Sequence, residues 1–166
     1  MPISVRDLLD AGVHFGHRTH RWNPKMRPYI YGARNGIHII DLQQTAKLWA
    51  KAEQAVISTV SHGQRILFVG TKPQAQEIIA EESVRANQHS VNRRWLGGML
   101  TNFKTIKSRI DRLKDLENLK TSEELSRITK KEAGGLEKER EKLFKTLDGI
   151  TAMTGLPGMV VIVDPG

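Results

Sequence analysis

The sequence contains no cysteine, which removes disulfides, thiolate metal sites and cysteine nucleophiles together and fits a reducing compartment. It also lacks a long apolar run. Stretches such as Met159–Val163 are far too short to span a bilayer, and a mean hydropathy of −0.42 lies outside the membrane class. The opening MPISVRDLL has no apolar segment ahead of a cleavage site, so no secretory signal is expected. A third absence is local. Gly12–Gly36 and Ser83–Ile110 contain no aspartate or glutamate at all.

Against those gaps stands an excess of cations. The 166 residues carry 26 Lys and Arg against 18 Asp and Glu, a net charge of +8. Such an excess points to a polyanion, most often nucleic acid, although basic surfaces also serve membranes and acidic proteins. Residues 1–103 hold 13 basic and 7 acidic side chains, and residues 104–147 hold 13 and 9. Segregation into acid-free tracts is more than solubility requires. The length suits one domain with a hydrophobic core.

Local patterns predict the elements. Ser4 and Asp7 form a capping signal for a short helix through Val5, Leu8 and Leu9 that Gly12 stops. Gly16, Pro24, Pro28 and Gly32 favour extended chain and turns through the basic tract. YIYGARNGIHIID predicts a β-hairpin whose turn holds Gly32, Asn35 and Gly36. Leu42–His62 predicts a helix capped by Asp41 and ended by Gly63, with Leu48, Ala52, Ala55, Val56 and Val60 on one face. RILFVG and MVVIVD predict buried parallel strands, HSVN a weaker one, and Pro73 opens the helix between RILFVG and HSVN.

From Phe103 onward, Phe103, Ile106, Ile110 and Leu113, then Leu125, Ile128, Leu143, Leu147 and Ile150, make narrow stripes amid charge. They predict an antiparallel helical hairpin. Gly134 and Gly135 predict a kink or frayed point in its second arm, at a propensity cost of about 2 kcal/mol. A parallel sheet of so few strands would leave an apolar edge uncovered, so more chain or a partner is expected beside it.

Three stretches are candidates for chemistry. His14, His17 and His20 are three apart, but glycines and Pro24 oppose a helix that would align them, and no carboxylate completes a first shell; no metal is expected. The Gly70-Thr71-Lys72 turn precedes a helix where α/β folds bind phosphate, so a phosphate- or nucleotide-binding enzyme using it is the alternative function. It lacks both glycine-rich phosphate fingerprints, and Pro73 removes an amide donor. No acid, base and nucleophile converge elsewhere, which argues against an enzyme and against a cofactor or small-molecule substrate. In RRWLGGMLTNFK, Arg93 and Arg94 suit phosphates and Asn102 adds an amide. Trp95 is expected to plug the core with Leu96, Met99 and Leu100 rather than stack on a base.

The segments LLDAGVHFGHRTHRWNPKMRPYIYGARNGIHIIDL, ILFVGTK, VNRRWLGGMLTNF and GLPGMVVIVD occur in the order found in bacterial small-subunit ribosomal protein two, and the chain resembles that family along essentially its whole length. The resemblance implies a flavodoxin-like (Rossmann-like) three-layer α/β/α fold with a parallel sheet. Residues 1–103 and 150–166 would form the α/β domain (extended tract and hairpin 1–41, sheet core 42–103 and 150–166). An antiparallel α-helical coiled-coil hairpin, 104–149, would be inserted in it.

The resemblance also implies a structural, non-enzymatic constituent of the ribosome, bound to small-subunit ribosomal RNA and joined late in assembly. Its protein partners would be ribosomal protein one, with its mRNA, and neighbouring small-subunit proteins. The site would be a cytoplasmic ribosome or an organellar one, with no membrane. Relative to the family pattern, the chain lacks the C-terminal part. Arg18, Arg21, Lys25, Arg27, Arg34, Arg93, Arg94 and Lys104 are the expected phosphate contacts, with Trp22, Asn23 and Asn102 in support. Recognition would be chiefly of RNA shape.

Overall fold

The fold was obtained as a computed structural model, in which residues 3–121 and 129–164 are described. It is a mixed α/β chain with a small antiparallel sheet, a small parallel sheet and a pair of long helices. Two compact units divide it, Met1–Ser58 and Thr59–Gly166. Among the described residues no helix is long and apolar enough to cross a membrane.

The first unit opens with helix α1 (Val5–Asp10), closed by the predicted capping box. The Ser4 hydroxyl accepts the Asp7 amide at 3.2 Å and the Asp7 carboxylate accepts the Ser4 amide at 2.9 Å. Leu8 anchors the helix, only 7% exposed. Strands β1 (Phe15–Arg18), β2 (Ile30–Arg34) and β3 (Ile37–Ile40) pair antiparallel in the order β1-β3-β2. The turn of the hairpin is Asn35-Gly36, with φ of +50° and +74°. That pair of left-handed residues matches the twist of the flanking strands, and only Asn and Gly adopt it cheaply.

Gly32 is not in the turn. It lies within β2 opposite Ile39, just past an irregularity in the ladder. Between β1 and β2 the chain forms two 3-10 segments, Thr19–Arg21 and Pro24–Tyr29, the second begun by Asn23 as cap and Pro24 in its first turn. Helix α2 (Leu42–Ser61) starts where the Asp41 carboxylate accepts the Gln43 and Gln44 amides, at 2.9 and 3.2 Å. None of its residues is buried. Leu48 and Val60 of the predicted apolar face remain 44% and 46% exposed.

In the second unit, β4 (Ile66–Val69), β5 (His89–Val91) and β6 (Met159–Ile162) form a parallel sheet in the order β5-β4-β6. Helix α3 (Pro73–Arg85) connects β4 to β5 and begins at Pro73 as expected. Gly70 is required where strand meets helix, because a Cβ there would stand 2.6 Å from the Ile79 side chain. The turn Asp148–Ile150 packs beside β5. Gly149 lies so close that a Cβ would fall 2.2 Å from the Ser90 carbonyl oxygen.

Helices α4 (Phe103–Thr121) and α5 (Lys130–Leu147) lie against each other. The predicted stripe residues Ile106, Ile110, Leu113, Leu147 and Ile150 are buried in one continuous cluster with Leu67, Val69 and Val91 of the sheet. The base of the helix pair is therefore part of the sheet's core. Leu125 and Ile128 lie outside the described residues. Helix α5 runs through Gly134 and Gly135 without interruption. Its capping box (Thr129 with Glu132) and the packing along its stripe outweigh the propensity lost at the two glycines.

Farther out, charge joins the helices. Arg112 grips Glu139 through Nε and Nη2 at 3.1 and 3.0 Å, while Glu137 accepts Lys120 at 3.0 Å and Arg140 at 2.9 Å. Hydrogen bonds from Arg140, then Lys120, draw the Glu137 carboxyl from its ordinary 4.5 down to about 2. The folded pair thus holds fewer protons than the unfolded chain. Its contribution is complete above pH 4.5 and lost as pH falls towards 2. Solvent screening keeps the effect modest. An acid titration followed by circular dichroism should show helix loss across this window, and Glu137→Gln should remove part of that pH dependence.

Candidate nucleic-acid interface

Every expected phosphate contact is exposed. In the first unit Arg18 ends β1, Arg21 closes a 3-10 turn, Lys25 and Arg27 lie in the second 3-10 segment, and Arg34 ends β2. In the second, Arg93 and Arg94 follow β5 and Lys104 lies in the first turn of α4. Among the described residues none of these eight cations enters an ion pair, whereas Arg6, Lys72, Arg85, Arg112, Lys120 and Arg140 do. The difference follows from the sequence, since the helix pair alternates charge and most of the tract cations have no acid within reach along the chain. Unpaired guanidinium and ammonium groups hold only mobile counterions, which a phosphate backbone displaces.

The supporting residues are more constrained than their types suggest. Trp22 is 41% exposed and lies against the His38 imidazole, ring centres 5.4 Å apart. The Asn23 side-chain oxygen already accepts the Lys25 amide at 3.0 Å, and the Asn102 oxygen accepts the Thr105 hydroxyl at 3.0 Å. Among the described residues neither amide's NH₂ group has a hydrogen-bond acceptor, so each can serve an outside one. Their first role is to cap local turns.

The core plug after β5 is Met99, fully buried, with Leu96, Leu100 and Phe103 packed around it. Trp95 is 39% exposed, which corrects the expectation that it fills the core. Gly98 at φ +78° turns the chain so that the slimmer Met99 side chain enters, leaving the indole at the surface. Arg93 also lines a cleft of roughly 380 Å³ with Ser90, Asn92, Lys145, Thr146 and the acidic Asp148. Lys145 is a cation of this cleft that the sequence pattern did not single out, because nothing local links the end of α5 to the end of β5.

The rival sites fare differently. At the Gly70–Lys72 turn the Lys72 ammonium is paired with the Asp164 carboxylate beyond β6. A carboxylate beside the start of α3 repels the anion that this turn would need to hold. His17 and His20 are exposed and His14 is half-buried against Phe15. Among the described residues no group of three His, Asp or Glu side chains is placed to hold a metal.

This α/β chain thus presents, in its acid-free tracts, exposed cations outside any ion pair among the described residues, and it closes its phosphate-type turn with its own carboxylate. The chain belongs to the ribosomal protein S2 family, a family of ribosomal proteins rather than enzymes: the family model described as "Ribosomal protein S2" matches residues 8–166. It is 56% identical over 164 residues to the "Small ribosomal subunit protein uS2" of Sorangium cellulosum, covering 99% of this chain and 59% of the relative. The protein of the same name from Syntrophobacter fumaroxidans is 57% identical over 162 residues, covering 98% and 59%. That from Geotalea uraniireducens is 55% identical over 163 residues, covering 98% and 64%. The chain thus spans about three-fifths of the length of these relatives.

Proposed function

We propose that this chain is a structural component of the small ribosomal subunit that lies on small-subunit rRNA through its two acid-free tracts. Arg18, Arg21, Lys25, Arg27, Arg34, Arg93, Arg94 and Lys104 contact phosphates, and Trp22, Asn23 and Asn102 make secondary contacts. The observation that carries this reading is the set of eight exposed cations with no ion pair among the described residues. The names of the relatives agree with it.

In the same reading the second unit is part of a flavodoxin-like three-layer domain, and residues 104–149 are a coiled-coil insertion. Support comes from β6, which follows the helix pair yet lies parallel to β4, which precedes it, with Val69 paired to Ile162. The protein enters late in assembly. It helps dock ribosomal protein one, and so mRNA, beside neighbouring small-subunit proteins, on a cytoplasmic ribosome or an organellar one.

The test is salt-dependent binding to small-subunit rRNA. Arg21→Gln or Arg94→Gln should flatten the plot of log K against log salt by about 0.7 to 0.9 of a unit and leave the melting midpoint unchanged. A slope untouched by either substitution would refute the assignment. Heat-stabilisation by a nucleotide, with a flat salt plot, would favour an enzyme at the Gly70–Lys72 turn instead.

A further inference from the structure

Cross-strand partners in an antiparallel sheet project from the same face, so register decides which side chains of the first unit stand together. Arg18 of β1 and Arg34 of β2 are both opposite Ile37 of the central strand, and Phe15 and Gly32 are both opposite Ile39. An irregularity in the ladder between Phe15 and Arg18 makes this possible. In a regular strand two residues three apart would point to opposite faces. One face therefore carries a guanidinium on each outer strand and a phenyl ring one step along.

Phe15 is 62% exposed, an unfavourable place for a phenyl group left in water. It is nevertheless supported from behind. The His14 ring lies 4.0 Å from it, centre to centre, tilted by 38°. A Cβ added at Gly12, which has φ +71°, would stand 3.7 Å from the ring edge, so the ring lies close to that turn. Across the sheet the face is open, since a Cβ on Gly32 would meet nothing within 4 Å.

We propose that this face takes an unpaired ribonucleotide of small-subunit rRNA, its base stacked on Phe15 and its flanking phosphates held by Arg18 and Arg34. The inference rests on the RNA-binding reading above and adds to it that this unit selects single-stranded RNA. Within a duplex each base is already stacked on its neighbours, so an exposed ring gains nothing from paired RNA. A base splayed from a loop or bulge offers the ring a free face, and stacking of this kind tolerates any sequence. Charge decides between RNA and an apolar protein partner. Gly12–Gly36 carries five Lys and Arg and no acid, so such a partner would have to bury Arg18 and Arg34 uncompensated.

The experiment uses the full chain and two labelled probes with equal numbers of phosphates, an unstructured oligoribonucleotide and a blunt RNA duplex. Phe15→Leu should weaken binding of the single strand about tenfold, leave its salt slope unchanged, and alter duplex binding by less than about twofold. Phe15→Tyr should restore the single-strand affinity. Arg18→Gln should weaken both probes and flatten both slopes. As a direct reading, the added emission of Phe15→Trp should be quenched by the single strand and not by the duplex.

No loss with Phe15→Leu, equal loss on both probes, or an unquenched Phe15→Trp would overturn the proposal. So would a Phe15→Trp signal that shifts with a small-subunit protein but not with RNA. These failures differ from failure of the broader reading, in which the unaltered chain would bind neither probe in a salt-dependent way.

Discussion

Raising monovalent salt from about 50 to about 200 mM is expected to weaken the binding of small-subunit rRNA to this chain by roughly 250- to 1000-fold. The expectation comes from counting cations. If about six of the eight exposed, unpaired cations engage phosphates, counterion release gives a slope of log K against log salt of roughly −4 to −5. Replacing Arg18, Arg21, Lys25, Arg27, Arg93 and Arg94 together by glutamine should leave a slope no steeper than about −1 to −2, carried by Arg34 and Lys104, with weak binding at every salt concentration. All six side chains are exposed and among the described residues none is in an ion pair. The variant should therefore melt within a few degrees of the parent. A steep slope that survives all six substitutions would show that the polyanion lies against other cations, the helix pair being the next place to look.

The second large effect is on stability. Leu147 is fully buried at the foot of α5, in the cluster that joins Ile110 and Leu113 of the helix pair to Leu67 and Val91 of the sheet. Leu147→Ala should cost about 3 to 5 kcal/mol, because the site is walled by several elements and cannot collapse onto the gap. For a chain of this size the melting midpoint should fall on the order of 10 °C. Leu48→Ala on α2, where the side chain is 44% exposed, should cost less than about 1 kcal/mol. Equal costs at the two positions would mean that the helix pair is not seated on the sheet's core.

Elements written in short-range chemistry are legible in the sequence itself. The reciprocal bonds of Ser4 and Asp7, the cap at Asp41, the start of α3 at Pro73 and the left-handed turn at Asn35-Gly36 each depend on residues within a few positions of one another. Periodicity likewise places Ile106, Ile110, Leu113 and Leu147 on inner faces. Register is not legible. Nothing near Phe15 announces that the ladder to β3 takes up an extra residue, so neither the third strand of that sheet nor the face shared by Phe15, Arg18 and Arg34 can be read from the sequence.

The segment after β5 shows the same limit. Trp95 and Met99 are both large and apolar, and only the path imposed by Gly98 chooses Met99 for the core. The state of Lys72 is equally hidden, because its partner Asp164 is 92 residues away along the chain.

What the sequence by itself determined is where charge is concentrated and what local structure carries it, since composition and caps act over a few residues. Two things belonged to the tertiary structure alone: which aromatic rings stay in water, and which turn is closed by its own acid. Each depends on groups far apart in sequence being brought within a few ångströms, and that proximity is set by strand register and core packing.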